Sequence, residues 1–222
     1  MLGHVKRGYT NRTAYHDGVV RKTYDGPDAR ARQTSELRAL EALHDRLPVP
    51  AVTATGTGWI ETEFVTGNHG QDLIDAGRAP SVLAECGRVL RRLHRLDPRL
   101  LEPAVASDLV IQHGDFGPNN LLFDLNDGHA VAVLDWEFSS IGQPITDIAW
   151  CEWIVRMHHP DSVSALPAFF ESYGECPPSQ QRKEEMMRRC RWLERFATRW
   201  EPTGPAGPLW RQRAETVQGW TE

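Results

Sequence analysis

The sequence predicts an α+β fold, with strands concentrated early and helices late, on three observations. Asp17-Gly18 lies between two runs rich in β-branched and aromatic residues. Asn126-Asp127-Gly128 lies between the apolar runs Leu121-Leu122-Phe123 and Val131-Ala132-Val133-Leu134. Both are hairpin signals, because Asn, Asp and Gly tolerate the positive φ that tight turns require. Third, apolar residues recur at helical spacing over 81–96 and through most of the chain after 146.

From Gly8 the stretch GYTNRTAYHDGVVRKTYDG reads as two strands around Asp17-Gly18. Side chains alternate along a strand, so of the two cations that end Val19-Val20-Arg21-Lys22 only Lys22 shares the face of Val20. Leu37, Leu40 and Leu43, with Ala39 and Ala42 beside them, place a helix over about 29–44; Glu36 stands just ahead of that stripe. Pro48 and Pro50 end it, since proline disfavours helical geometry in the residue before it. Two further strands, 51–56 and 58–65, follow around Gly56 and Gly58. The segment 81–96 carries Val82, Leu83, Cys86, Val89, Leu90 and Leu93 on one stripe, with Ser81 as its N-cap and Asp97-Pro98 as its stop. A strand from Leu109 leads to a loop with Asp115 and Asn120, and the 121–134 hairpin returns Asp135 towards that loop. Helices over 146–157, 161–174 and 179–200 come next, then a Pro/Gly break at 202–207 and a short terminal helix. Trp150, Trp153, Trp192, Trp200 and Trp210 read as core aromatics of this portion.

Composition bounds the function. A chain of 222 residues, 40% hydrophobic, can bury a substantial core as one unit or as two small lobes. The formal net charge of -5 argues against a general nucleic-acid binder. Cys86, Cys151, Cys176 and Cys190 have no C-x-x-C spacing and no paired histidines nearby, so reduced thiols are expected rather than a zinc or redox site. No apolar run approaches a membrane span and no charged, apolar leader opens the chain, so the cytosol is the expected setting. The P-loop pattern G-x-x-x-x-G-K-[ST] is absent.

The stretch Ile111 to Asp135, IQHGDFGPNNLLFDLNDGHAVAVLD, gathers three polar side chains of the kind phosphoryl transfer needs: Asp115, Asn120 and Asp135. The pattern H-G-D-x-x-x-x-N, a hairpin and then L-D-W-E resembles the catalytic core of the aminoglycoside phosphotransferase and choline kinase-like family, relatives of the protein kinases. That resemblance implies a two-lobed protein kinase-like fold, with a small β-rich nucleotide lobe over 1–67 and a mainly helical lobe over 68–222 that holds the catalytic loop and acceptor site. By the same resemblance Asp115 orients or deprotonates the attacking hydroxyl, while Asn120 and Asp135 hold Mg2+ on the ATP phosphates. Lys22 would reach the α and β phosphates with Glu36 as its partner, and Arg21 is the rival if the strand register differs. The segment ETEFVTG resembles the hinge, where adenine would bond the Glu63 carbonyl and the Val65 amide, and Gly67 marks the lobe boundary. The opening MLGHVKRGYTN would supply a first strand and a phosphate-covering turn, in which Gly8 is either an ATP ligand or only a turn glycine. His113 reads as a brace of the catalytic loop and Trp136 as packing. SSIGQPITDIAW resembles the family's G-x-P-x-x-D-x-A element, whose Asp147 braces the catalytic loop; a capping role at the next helix is also physically sensible for it.

The expectation is an ATP- and magnesium-dependent phosphotransferase acting on a hydroxyl of a small molecule, without nucleic-acid or membrane partners. A protein kinase is disfavoured, because no A-P-E-like anchor or long activation segment follows Asp135. The rival from another class is a nucleotide-binding pseudoenzyme acting through partners; Lys22, Glu36, Asp115, Asn120 and Asp135 are all present, which speaks against it. Between Ala132 and Cys176 the charges are acidic except for Arg156, so an acidic cleft and a cationic acceptor, an aminoglycoside or amino alcohol, are expected, with Glu137, Glu152 and Glu171 as its contacts.

Overall fold

Asp17 and Gly18 both take positive φ, 47° and 83°, as a two-residue hairpin loop demands, and join β1 (Asn11–His16) to β2 (Val19–Tyr24). The computed structural model describes residues 11–105, 108–124 and 126–221; the expected opening strand and the turn at Gly8 lie outside the described residues. Helix α1 (Ala29–Leu43) follows, then β3 (Val52–Gly56) and β4 (Trp59–Glu63), the latter ending two residues short of the expected strand. The four strands form one antiparallel sheet in the order β1-β2-β4-β3. In its register Lys22 pairs with Ile60 and Arg21 with Glu61. Ala39, Leu40 and Leu43 of α1 are buried, as the stripe predicts.

The remainder is mainly helical, with two small sheets inserted. In chain order it comprises β5 (Asn68–His69), α2 (Gly70–Leu73), α3 (Ala79–His94), β6 (Val110–Gln112), β7 (Leu121–Phe123), β8 (Ala130–Val133) and β9 (Ser140–Gly142). Then come α4 (Ile145–His158), α5 (Leu166–Tyr173), α6 (Ser179–Trp200) and α7 (Ala206–Gly219). β5, β7 and β8 form one sheet, and β6 pairs with β9 in another. Helix α3 starts at Ala79, before the expected Ser81 cap; Ser81 Oγ donates to the Arg78 carbonyl, and Pro80 occupies the first turn, where its missing N–H leaves no bond unmade. The segment expected as a helix over 161–174 opens instead as a 3-10 turn, Pro160–Ala165, and α7 is longer than the short helix expected.

One hydrophobic core runs from Leu43 and Ile60 through Leu83, Leu90 and Cys86 of α3 to Trp136 and Phe169. Burying each large aliphatic side chain of this kind contributes about 1.5–3 kcal/mol. A second cluster, Trp150, Trp153, Met186, Cys190 and Val217, joins α4, α6 and α7. All four cysteines are free thiols, and Cys176 alone of them is exposed. No helix among the described residues is long and apolar enough to cross a membrane.

Candidate active site

The loop between β6 and β7 is fixed from beneath. Gly114 has φ 81°, and a Cβ there would stand 2.3 Å from the Phe138 carbonyl oxygen, so both backbone conformation and space require glycine. Asp147, in the first turn of α4, is fully buried and does not cap its own helix; its two oxygens accept the amides of His113 at 2.8 Å and Gly114 at 2.9 Å. His94 Nε2 lies 3.2 Å from the same carboxylate. Burial opposes ionisation of Asp147, but the bond with His94 and the loop amides outweigh it and hold the group below the usual carboxylate range. His113 donates from Nε2 to the Leu134 carbonyl at 2.9 Å and accepts the Asp115 amide at Nδ1 at 3.2 Å. Both ring nitrogens are thus spent on backbone, which defines a neutral tautomer, and burial lowers its pKa further.

Asp115 and Asn120 face each other across this loop. Asn120 Nδ2 donates to the Asp115 carbonyl at 2.8 Å and to Oδ2 at 2.9 Å, which turns the Asn120 amide oxygen the other way. Trp150 Nε1 donates to Asp115 Oδ1 at 2.7 Å. Burial and the neighbouring charge of Asp135 push the Asp115 carboxyl up to about 6, against the opposing pull of Trp150, Arg189 and Asn120.

The β7–β8 hairpin delivers Asp135, and the Leu134 amide donates back to the Asn120 carbonyl at 2.8 Å. Asp135 sits at φ 67°, a conformation that costs a non-glycine residue on the order of 1–3 kcal/mol. Lys22 Nζ donates to Asp135 Oδ1 and, at 2.6 Å, to Glu36 Oε2; Tyr24 Oη donates to that same Glu36 oxygen at 2.6 Å. Burial works against the Lys22 charge, but Asp135 and Glu36 overcome it and raise its pKa; Lys22 in turn holds Asp135 below its usual range despite burial. Arg21, on the other face, pairs with Glu61 and stacks on Trp59, so it stands away from this array. Asn120 and Asp135 offer hard oxygen donors suited to magnesium, which takes few protein ligands and fills its octahedron with phosphate and water. Among the described residues no cluster of three His, Cys, Asp or Glu side chains offers an all-protein metal cage.

Other expected residues fall elsewhere. Glu63 ends β4 and is exposed, its carboxylate accepting the Ala51 amide at 3.0 Å; Val65 lies just past the strand. Glu137 and Glu152 are not open acceptor contacts. Glu137 is buried and accepts Arg32 Nη1 at 2.5 Å and Asn11 Nδ2 at 2.7 Å. Glu152 is buried between Arg156 Nε at 2.7 Å and Arg182 Nε at 2.6 Å. A carboxylate neutralised inside the protein does not make a cleft acidic, so neither residue supplies the charge expected of it. Glu171 is exposed on α5, whose buried face packs in the main core rather than in the loop described above. Trp150, Tyr24 and Arg189, by contrast, were not expected at the site. Trp150 follows Asp147 by less than one helical turn, and that spacing was a usable signal; nothing local marks Arg189.

The sequence pattern of the phosphotransferase enzyme family matches residues 4–106 and 99–193, and the chain belongs to that family. Its fold is that of the kinase-like phosphotransferases. Aminoglycoside 2'-phosphotransferase-IIIa, solved with GDP, superposes with a TM-score of 0.72 at 11% identity, over 96% of this chain and 91% of that one. A ternary complex of an aminoglycoside phosphotransferase with streptomycin and ATP superposes with a TM-score of 0.64 at 14% identity, over 87% of this chain and 83% of that one. The human protein acyl-CoA dehydrogenase family member 11 is 31% identical over 88 residues, a match that spans 40% of this chain and only 11% of that relative's length.

Proposed function

We propose that the chain transfers the γ-phosphoryl group of ATP, as its magnesium complex, to a hydroxyl of a small molecule. The reading rests on one juxtaposition: Asp115 and Asn120 in mutual contact beside Asp135, which itself meets the Lys22–Glu36 pair. In the proposed reaction the acceptor oxygen bonds to Pγ, the bond from Pγ to the β,γ-bridging oxygen breaks, ADP leaves, and the hydroxyl proton passes to Asp115. Lys22 would bind the α and β phosphates. The Glu63 carbonyl and Val65 amide would take the adenine, and Asn120 and Asp135 would hold magnesium. Bound there, magnesium neutralises charge on the phosphates. An Asp115 carboxyl pushed up to about 6 remains mostly ionised at neutral pH yet is more basic than an ordinary aspartate, which suits a proton acceptor. Family membership and the nucleotides named for the two superposed structures, ATP and GDP, support the nucleotide reading. The division into a nucleotide lobe to residue 67 and an acceptor lobe beyond it belongs to the same proposal.

The test is acceptor-dependent ADP release by the purified chain with magnesium and ATP, across a panel of hydroxylated small molecules. The expected result is release that falls about 10²- to 10⁴-fold in Asp115→Ala while nucleotide binding persists. Nucleotide binding without release on any acceptor would favour the pseudoenzyme.

A further inference from the structure

Arg189 projects from the middle of α6 into a cage of aromatic rings. Its guanidinium carbon lies 4.4 Å from the Trp192 ring centroid, 5.0 Å from Phe138 and 5.7 Å from Trp150. Rings hold a cation by its face but satisfy none of its five N–H donors. Among the described residues Arg189 has no hydrogen bond or ion pair, and its Nε is fully buried without a partner. Leaving a donor so costs about 1–3 kcal/mol, and more for a charged group. The contrast with the two buried arginines nearby is direct: Arg32 is met by Glu137 and Arg182 by Glu152.

The position of this unanswered cation matters. Trp150 turns its ring towards Arg189 while its Nε1 donates to Asp115 Oδ1 at 2.7 Å. Arg189 is therefore one indole away from the carboxylate that would receive the acceptor proton, on the side of the loop formed by α4 and α6. It makes no ion pair with Asp115, so the two charges support each other across the indole while the guanidinium donors stay uncommitted. Burial pulls against its ionisation and Asp115 supports it, which leaves a charged donor that an incoming anion would complete.

We propose that Arg189 anchors the acceptor, and that the acceptor is a hydroxylated compound bearing a carboxylate or phosphate that the guanidinium takes while its hydroxyl reaches Asp115. Arginine's planar fork suits either anion. The proposal rests on the phosphotransferase reading and names its substrate class.

Four probes on one carbon skeleton test it: glycerate, glycerol phosphate, glycerol and aminopropanediol, each with longer-chain homologues. Binding is followed by the fluorescence of the tryptophans around Arg189, and turnover separately by ADP release. The expected result is that an anionic series binds best, that added salt weakens it, and that Arg189→Gln weakens it about 10- to 150-fold, the size of a charged hydrogen bond. Arg189→Lys, which keeps charge and loses the fork, should recover part of that loss. The carboxylate and phosphate arms identify which anion is read. Best binding by a neutral or amine-bearing series, or anion binding by wild type that is indifferent to salt, overturns the proposal without any variant having to fold. Equal anion binding by a folded Arg189→Gln overturns it too, as does an absence of anion binding in every arm. Arg189-dependent binding without ADP release keeps the anchor and defeats the phosphotransferase reading; turnover of an amine acceptor that ignores Arg189→Gln does the reverse.

Discussion

Asp115 is held at both oxygens, by Trp150 and by Asn120, before any substrate arrives. Burial and Asp135 bring its carboxyl up to about 6, so in the proposed reaction kcat/KM should fall about tenfold per pH unit below that value as Asp115 is protonated. The indole bond favours the ionised form. Trp150→Phe removes it and should move that acid limb to higher pH by about one to two units, since a hydrogen bond to a charged group contributes about 1.5–3 kcal/mol and one pKa unit corresponds to about 1.4. A pH–rate profile of the variant that coincides with wild type would show that the indole does not act on Asp115. At this scale the sequence was informative where chemistry is local. Asp115, Asn120 and Asp135 lie within one short span whose turn residues dictate how they meet. Lys22 could be chosen over Arg21 because strand alternation is a local rule. Trp150 was legible only through its spacing from Asp147, whereas Arg189 was not legible at all, because its contacts depend on how α4 and α6 pack, and an arginine within a run of arginines looks like a solvated helix face. Glu137 and Glu152 misled for the matching reason: net charge along a segment does not reveal that arginines from α1 and α6 bury each carboxylate.

The β6–β7 loop is an element whose backbone donors are satisfied by a side chain from elsewhere. Asp147 takes two consecutive amides at once. Its ionised form, favoured by His94 and those amides against burial, contributes stability in full above the unfolded carboxylate pKa of about 3.9. That contribution is lost as pH falls through the lower folded value. Asp147→Asn should therefore destabilise the protein at neutral pH by about 1–3 kcal/mol, because an amide NH2 would face a donor where an oxygen accepted. It should also flatten the acid side of the stability curve below about pH 4. Urea titrations of both proteins across that window measure the effect, and unchanged stability at neutral pH together with the wild-type acid slope would remove Asp147 from the loop's support. Helix positions were mostly legible: α3 and α6 follow clear apolar stripes, while α1 and α4 were placed by a few apolar positions and by their bounding turn residues. Their ends were less so: α3 begins ahead of Ser81 because Pro80 can enter the first turn, directly after a π-helical stretch over Ile74–Arg78 that is kinked at Gly77.

At the scale of the whole molecule, α6 runs from the α4 and α7 cluster to the turn that precedes α1. Arg189 lies near its middle, and its last turn reaches back to the turn before α1. There Trp200 packs so close to Gly26 that a Cβ would stand 2.5 Å from its ring, and Arg199 pairs with Asp28 at 2.5 Å. Arg32 ties three parts together. It bonds Glu137, two residues beyond Asp135, and its guanidinium lies 5.6 Å from the rings of both Phe196 and Trp200. The pair is buried, so its Coulomb attraction is largely offset by desolvation, but removing Arg32 takes a buried charge-assisted bond from the Glu137 carboxylate. Arg32→Met should accordingly cost about 3–5 kcal/mol, a fall in Tm of roughly 6–20 °C for a chain of this size. The double variant Arg32→Met with Glu137→Leu should recover part of that loss, because two apolar side chains of similar volume replace the buried ion pair. Calorimetry of the two single variants and the double completes the cycle. Additive losses would show that Arg32 and Glu137 act separately; a double variant more stable than Arg32→Met alone would show that the two are coupled, beside the strand end that presents Asp135.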